Sequence, residues 1–104
     1  MNESGQASSP SRLRNARDKV KTIDELASLA ESERLRGCSV ALAHGAFDLL
    51  HMGHVRHLEH ARRLGEVLIV TITADKFINK GPGRPVFPQA LRAEMLAALE
   101  YVDW

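Results

Sequence analysis

Apolar residues along this chain switch between a helical spacing and short unbroken runs. The first helical stretch follows a capping-box pattern at residues 22–25 and ends near Gly37. A second runs from about residue 52 to 64, where an apolar residue recurs every three positions. A third begins near Pro88, a residue suited to the first turn of a helix. The pattern therefore predicts three helices, each with one apolar stripe.

Two apolar runs separate these helices. Residues 38–43 suit a short buried strand, and residues 67–73 are apolar or β-branched at every position, which is typical of a strand covered on both faces of a parallel sheet. The strand–helix–strand order predicts a βαβ unit with a right-handed crossover. Residues 101–104 resemble the start of a third strand. We therefore expect an α/β fold, a Rossmann-like parallel sheet with flanking helices, incomplete at about three strands.

A chain of 104 residues has room for one domain. Residues 1–20 are rich in small and polar residues or mix both charge signs. Few apolar groups there can offset the entropy of ordering the backbone, so we expect a disordered tail. Residues 21–104 form the predicted domain. Because three strands are half of a doubly wound sheet, we interpret this domain as truncated at its C-terminal end.

Composition excludes several classes of protein. Lys and Arg total 14 and Asp and Glu 13, so no excess of positive charge points to nucleic acid as a partner. The chain has no apolar run of 18 residues, so we expect no membrane partner, and its N-terminus lacks the apolar segment of a secretion signal. The single cysteine, Cys38, suits a reducing compartment. We therefore expect a cytoplasmic protein.

All five histidines lie within residues 44–60. His51 and His54 stand where the loop after the first predicted strand enters the crossover helix. Ligands of open parallel sheets bind beyond the carboxyl ends of the strands, and a helix N-terminus there offers free N–H groups to a phosphate. Gly53, between the two histidines, lets a phosphate approach the backbone. The alternative is a purely structural role, in which the two histidines cap the helix and pack against it.

A metal site is a weaker interpretation of the same residues. The spacing of His51, His54, His57 and His60 by three rotates each step by roughly 60° around a helix, so only neighbours could share a metal. No Cys or carboxylate completes a tetrahedral set. We therefore expect no metal bound directly by the protein, and we interpret His57 and His60 as solvated residues on the helix surface.

The residues around the histidine pair resemble a known signature. Residues 45–54 match the Gly-x-Phe-Asp-x-x-His-x-Gly-His pattern of the HIGH-motif nucleotidyltransferase superfamily. Residues 80–85 and 91–104 look like its cytidylyltransferase-like branch, which contains glycerol-3-phosphate cytidylyltransferases and heptose-1-phosphate adenylyltransferases. The loop sequence is similar to domains fused to a ribokinase-like sugar kinase. The resemblance covers roughly residues 22–104.

The resemblance implies an activity with its substrates. Members of the family transfer a nucleotidyl group from a nucleoside triphosphate to a phosphate monoester, release pyrophosphate and use Mg²⁺ with the nucleotide. For this chain the resemblance implies ATP or CTP as donor and a sugar or polyol phosphate as acceptor. Base preference is usually set by a later segment of the family, so the choice between ATP and CTP stays open. The incomplete sheet leaves an edge that invites pairing, so we expect a homodimer. The resemblance implies the alternative, fusion to a sugar kinase in a longer parent chain.

The resemblance also implies roles for particular residues. The implied catalytic residues, which contact the triphosphate, are His51, His54 and Lys80. The implied nucleotide- or phosphate-binding residues are Gly45, Ala46, Phe47, Gly53 and Arg92. The residues implied on the substrate or metal side are Asp75 and Arg84. Asp48 orders its loop through backbone N–H groups in this interpretation, and Phe47 also packs in the core.

Two other functions remain open. A non-catalytic nucleotide-binding or assembly module would lack the second half of the active site, which fits an incomplete sheet. A fragment of a class I aminoacyl-tRNA synthetase would share the His-x-Gly-His pattern, but the small size, the missing second synthetase signature and the loop at residues 80–85 argue against it. We therefore take a sugar-phosphate nucleotidyltransferase as the leading hypothesis.

Overall fold

The computed structural model describes residues 14–78 and 81–104. Two short 3-10 helices, at Ala16–Lys19 and Asp75–Phe77, accompany the regular elements. In chain order the regular elements are α1 (Ile23–Leu35), β1 (Val40–Gly45), α2 (Met52–Arg63), β2 (Val67–Ile72) and α3 (Gln89–Ala97). Each predicted helix and the first two predicted strands are therefore confirmed, with small differences at their ends.

The sheet is parallel, as predicted. β1 and β2 pair from Val40 opposite Val67 to Gly45 opposite Ile72, and α2 forms the crossover between them. The predicted third strand is present only as its first contacts. The Asp103 N–H donates to the Leu68 carbonyl at 3.0 Å, and the Val70 N–H donates to the Trp104 carbonyl at 2.8 Å. Within the described residues the fold is thus an incomplete Rossmann-like α/β sheet with two formed strands and flanking helices.

One face of this sheet carries the core. Leu58 of α2 and Leu68 of β2 are fully buried, and Leu96 of α3 and Val102 are almost so. Burying a leucine side chain contributes about 1.5–3 kcal/mol, so α2 and α3 are held against the sheet mainly by these contacts. This packing fixes the first turn of α2 at the carboxyl end of β1, where the candidate site lies.

Local signals set the bounds of α1. The Thr22 hydroxyl accepts from the Glu25 N–H at 3.1 Å, and the Glu25 carboxylate accepts from the Thr22 N–H at 2.8 Å. This reciprocal pair is the predicted capping box. At the other end Gly37 adopts a φ of +85°, a left-handed conformation that favours glycine. None of the helices within the described residues is long and apolar enough to cross a membrane.

Part of the predicted tail is ordered. We call residues 14–21 the N-terminal strap. Its Lys19 ammonium donates to the carbonyls of Leu99 and Val102, at 3.2 and 2.8 Å, and its Arg14 guanidinium donates to the Asp103 carbonyl at 2.6 Å. The expectation of a tail through residue 20 therefore fails for residues 14–20, because cationic side chains there bind carbonyls just beyond α3. Residues 1–13 lie outside the described residues.

Candidate active site

The histidine pair forms the first turn of α2. His51 is the N-cap residue, with an extended backbone, and its Nδ1 accepts from the Gly53 N–H at 3.0 Å. In return the His51 N–H donates to Nδ1 of His54 at 3.3 Å. Each imidazole thus occupies the place that a Ser or Glu side chain takes in an ordinary capping box. The alternative raised from the sequence, that the pair caps the helix, is therefore correct: Nδ1 of each ring accepts a capping hydrogen bond.

This capping fixes where each ring carries its proton. A neutral imidazole has one N–H and one acceptor nitrogen, so a ring that accepts at Nδ1 carries its proton at Nε2. The two rings are stacked, with centroids 3.9 Å apart and planes 27° from parallel. His51 is exposed and His54 half-buried. The pair therefore combines two neighbouring N–H donors with the N-terminus of a helix, an arrangement suited to an anion.

Two glycines make room for this arrangement. A Cβ on Gly53 would lie 2.8 Å from Cε1 of His51, too close for the ring to keep its place. A Cβ on Gly45 would lie 2.9 Å from the ring of Phe47. Phe47 itself has a φ of +50°, which turns its buried ring under the site and edge-on to His54 at 5.2 Å. Phe47 therefore packs in the core and supports His54. Core packing was one of the two roles predicted for it, the other being nucleotide binding.

Asp48 joins the loop after β1 to a second loop. We call residues 81–87 the Gly/Pro loop. The Asp48 carboxylate is 1% exposed and accepts from Arg84 at 2.7 Å and from the N–H groups of Val86 and Phe87 at 2.7 and 3.3 Å. Burial by itself raises the pKa of Asp48, but the hydrogen bonds from Arg84, Phe87 and Val86 outweigh it and hold the pKa below its ordinary value. Asp48 was expected to order its own loop through backbone N–H groups, but the N–H groups that it binds belong to the Gly/Pro loop.

Arg92 lies in the first turns of α3 beside the candidate site, where the sequence placed it, but its donors are held by protein groups. Its side chain is fully buried. Its Nη1 donates to the carbonyls of Ala46 and Thr73, both at 2.8 Å, and its Nε to the Phe87 carbonyl at 3.1 Å. Its Nη2 donates to Asp75 at 2.5 Å. With most of its donors taken by the protein, Arg92 ties three segments together and offers no surface to a phosphate in this conformation.

Asp75, which is not part of α3, caps the N-terminus of that helix. Pro88, the N-cap residue, has no side-chain oxygen to cap the helix. The Asp75 carboxylate does so instead, accepting from the Gln89 N–H at 3.2 Å as well as from Arg92. The hydrogen bond from Arg92, followed by that from Gln89, lowers the pKa of Asp75. Both oxygens of this half-exposed carboxylate therefore already hold structural partners.

The structure joins most of the predicted site residues into one cluster. Six of them lie at the end of β1 or in the loop and first turn of α2 that follow it: Gly45, Ala46, Phe47, His51, Gly53 and His54. Asp75, Arg84 and Arg92 are connected to them through Asp48 and the Ala46 carbonyl. Lys80 lies outside the described residues. Sequence reasoning missed the link between Asp48 and the Gly/Pro loop, because no local pattern signals a contact across 36 residues.

Carboxylates and histidines do not converge elsewhere as a metal site. Among residues 14–78 and 81–104, no group of three or more His, Cys, Asp or Glu side chains is placed to hold an ion. The carboxylates of Asp48 and Asp75 are instead paired with arginines. The groups of the cluster that suit phosphate oxygens are thus the N–H donors at the start of α2 and the partly exposed Arg84.

Comparison with known proteins agrees with this geometry. A family model described as cytidylyltransferase-like matches residues 42–104, more than half of the chain, and spans the histidine pair. The chain belongs to the cytidylyltransferase-like family. This assignment confirms the resemblance seen in the sequence and favours it over a synthetase fragment.

Two curated relatives are both called bifunctional protein HldE. That of Edwardsiella ictaluri is 48% identical over 87 residues, which is 82% of this chain and 18% of the relative. That of Geobacter metallireducens is 41% identical over 88 residues, 83% of this chain and 18% of the relative. This member of the cytidylyltransferase-like family thus spans less than a fifth of the length of these relatives.

A solved structure shows the same fold. The lipopolysaccharide core biosynthesis protein from Thermoplasma volcanium superposes with a TM-score of 0.59 at 30% identity, covering 64% of this chain and 54% of that protein. The α/β fold predicted from the sequence is therefore shared with a solved protein.

Proposed function

We propose that this chain carries the phosphate-binding part of a nucleotidyltransferase. It transfers AMP or CMP from ATP or CTP to a sugar or polyol phosphate and releases pyrophosphate. The observation that carries the proposal is the stacked His51–His54 pair, whose Nδ1 atoms are occupied by the backbone so that the protons lie at Nε2. Membership of the cytidylyltransferase-like family supports the reaction class.

The proposed chemistry needs positioning and charge stabilisation more than covalent help. A phosphate oxygen of the acceptor attacks the α-phosphorus of the nucleotide. The bond from that phosphorus to the oxygen bridging to the β-phosphate breaks, and pyrophosphate leaves with the electron pair. His51 and His54 donate hydrogen bonds to the α-phosphate oxygens as their negative charge grows. Mg²⁺ enters with the triphosphate as part of the substrate.

The relatives support the acceptor class. One solved neighbour is named for lipopolysaccharide core biosynthesis, which favours a carbohydrate acceptor, while the name bifunctional of the curated relatives favours fusion to a second enzyme. We therefore place a sugar or polyol phosphate in the acceptor position. We further propose that the chain is fused to a sugar kinase in a longer parent chain or, alternatively, forms a homodimer. Its proposed location is the cytoplasm.

Pyrophosphate release tests the proposal. The chain is incubated with Mg·ATP or Mg·CTP and a panel of sugar and polyol phosphates. His54→Ala removes one preorganised donor, so we expect its rate to fall on the order of 10²–10³-fold. His60→Ala, an exposed residue at the other end of the same helix, is the matched control and is expected to keep the rate. A folded His54→Ala variant with normal turnover would remove the histidine pair from catalysis.

One observation favours a second candidate. The described sheet has two formed strands, so the chain offers one side of a nucleotide site. A non-catalytic nucleotide-binding or assembly module would bind without turnover. Thermal stabilisation by Mg·ATP or Mg·CTP with no pyrophosphate release for any acceptor would favour this module over the enzyme.

A further inference from the structure

We propose that Arg84, held in place by the buried carboxylate of Asp48, binds a phosphate group of a substrate, and that Asp48 is its positioning residue. This inference rests on the proposed function, because it assigns a ligand to one more side chain of the same site. It also gives Arg84 the phosphate-binding role that the resemblance implied for Arg92. Arg84 takes the phosphate, and Arg92 holds the site together.

Arg84 has donors to spare. Its Nη1 donates to Oδ2 of Asp48, the one acceptor it contacts among the described residues, and its side chain is 33% exposed. A guanidinium carries five N–H donors in a rigid planar fork. The remaining donors can take phosphate oxygens in the paired geometry that arginine favours, without breaking the contact with Asp48.

Asp48 gives that fork a fixed orientation. The carboxylate is buried, and two backbone N–H groups, those of Val86 and Phe87, hold it in place besides Arg84. An arginine already held by one hydrogen bond loses less conformational entropy when it binds a ligand. The lowered pKa of Asp48 means that the carboxylate stays ionised at neutral pH and keeps its hold on the guanidinium.

The contrast with Arg92 is one of exposure. Arg92 is fully buried and donates to three backbone carbonyls and to Asp75. A phosphate could reach it only if that network opened. Arg84 and Arg92 are both close to the loop after β1 in space, but only the side chain of Arg84 is partly exposed to solvent.

The anchor of Arg84 lies on the same short loop as the histidine pair. Asp48 directly follows Phe47, whose ring touches His54, and precedes His51 by three residues. Asp48 thus holds Arg84 against the loop that carries the histidine pair, and we infer that a ligand with two phosphate groups contacts both. Such ligands are the triphosphate of a nucleotide, or a nucleotide with a sugar phosphate beside it.

Binding experiments without turnover test the inference. Inorganic pyrophosphate and glucose 1-phosphate are titrated into the chain by calorimetry. Arg84→Gln is expected to weaken binding of at least one probe by about 10- to 100-fold, the loss of charged hydrogen bonds. Arg84→Lys keeps the positive charge but lacks the planar fork of donors, so its affinity for the probes is expected to lie between those of the wild type and Arg84→Gln. Arg63→Gln, which removes an exposed arginine paired with Glu59 at the far end of α2, is the matched control and is expected to change affinity less than twofold.

A double-mutant cycle tests the role of Asp48. In Asp48→Asn the amide oxygen can still accept from the two backbone N–H groups, but it no longer holds Arg84 by charge. We expect about 3- to 10-fold weaker probe binding in the wild-type background and no further loss in the Arg84→Gln background. An equal loss in both backgrounds overturns the positioning role.

Other outcomes are equally decisive. Equal affinity of Arg84→Gln and wild type for both probes, or no binding of either probe by the wild type, overturns the inference. Since no turnover is measured, a chain that binds through Arg84 but releases no pyrophosphate keeps this inference and contradicts the enzymatic proposal.

Discussion

Asp48 and Arg92 are the charged side chains that the described part of the chain buries almost completely. A buried charge is costly unless hydrogen bonds satisfy it. Asp48 receives three hydrogen bonds and Arg92 donates four, and nearly all of them join segments far apart in sequence. These two residues therefore fix how the loops around the site sit relative to one another.

Replacing Arg92 tests this role. Arg92→Met keeps a long apolar stem but leaves the carbonyls of Ala46, Thr73 and Phe87 without that donor. We expect the free energy of unfolding to fall by roughly 2–4 kcal/mol, measured by urea denaturation. Arg17→Met removes a surface ion pair with Glu94 and is expected to cost less than about 1 kcal/mol. Equal losses for the two variants would contradict the tying role of Arg92.

Asp48 and Asp75 should make the free energy of unfolding decrease in acid. Hydrogen bonds lower the pKa of both carboxyls in the folded state, so the unfolded state binds more protons in acid. Their contribution is full above the unfolded pKa of about 3.9 and is lost as pH falls through the lower folded values. Urea midpoints measured from pH 6 to pH 3 should therefore decline, starting near pH 5. Asp75→Asn should flatten the decline, and an unchanged slope would contradict the assignment.

At the scale of the element, α2 begins in an unusual way. Two imidazoles perform the reciprocal capping that hydroxyl and carboxyl side chains usually perform. Capping and phosphate binding use different nitrogens of the same rings, so the two interpretations of the histidine pair are compatible. The element that supplies the backbone N–H groups thereby also orients the side-chain donors.

Gly53→Ala separates these two effects. At an exposed helical position Gly→Ala normally stabilises, by about 1 kcal/mol. Here the new Cβ would lie 2.8 Å from the His51 ring, so we expect the ring to leave its stacked position and the gain in stability to vanish. Imidazole NMR signals of His51 and His54 should shift, while Ser28→Ala on the exposed surface of α1 leaves them unchanged. Unperturbed histidine signals in Gly53→Ala would show that the glycine is not required.

At the scale of the whole molecule, the two ends of the described chain hold one another. The N-terminal strap binds carbonyls beyond α3, and its Arg14 lies 4.4 Å from the centre of the Trp104 ring. Lys21 lies 5.5 Å from the same ring. The strap thus holds the last residues beside β2, where Asp103 and Trp104 make their backbone hydrogen bonds.

Fluorescence can report on the strap, because Trp104 is the single tryptophan of the chain. Lys19→Met removes two hydrogen bonds to the carbonyls of Leu99 and Val102. We expect the free energy of unfolding to fall by about 1–2 kcal/mol and the emission of Trp104 to shift to longer wavelength as the ring meets more water. Arg17→Gln serves as the control, since its surface ion pair touches neither carbonyl. If Lys19→Met left the emission unchanged, the N-terminal strap would not be what holds Trp104 in place.

Local chemistry explains what could be predicted for the fold. The capping box at Thr22, the left-handed Gly37 and the unbroken apolar run of β2 act over a few residues, so the sequence alone predicted three helices and two parallel strands. The same holds for the placement of His51 and His54, because a ten-residue motif contains both the strand end and the helix start.

Long-range contacts explain what could not be predicted. The resemblance implied that Arg84 and Arg92 belong to the site of the histidine pair, but the sequence did not indicate which of them is buried. Tertiary structure decided that Arg92 is buried, that Arg84 is the more exposed of the two arginines and that part of the expected tail is ordered, because these outcomes depend on partners 17 to 89 residues away. Hydrogen bonds at such separations follow from how the elements pack, and no local pattern encodes them.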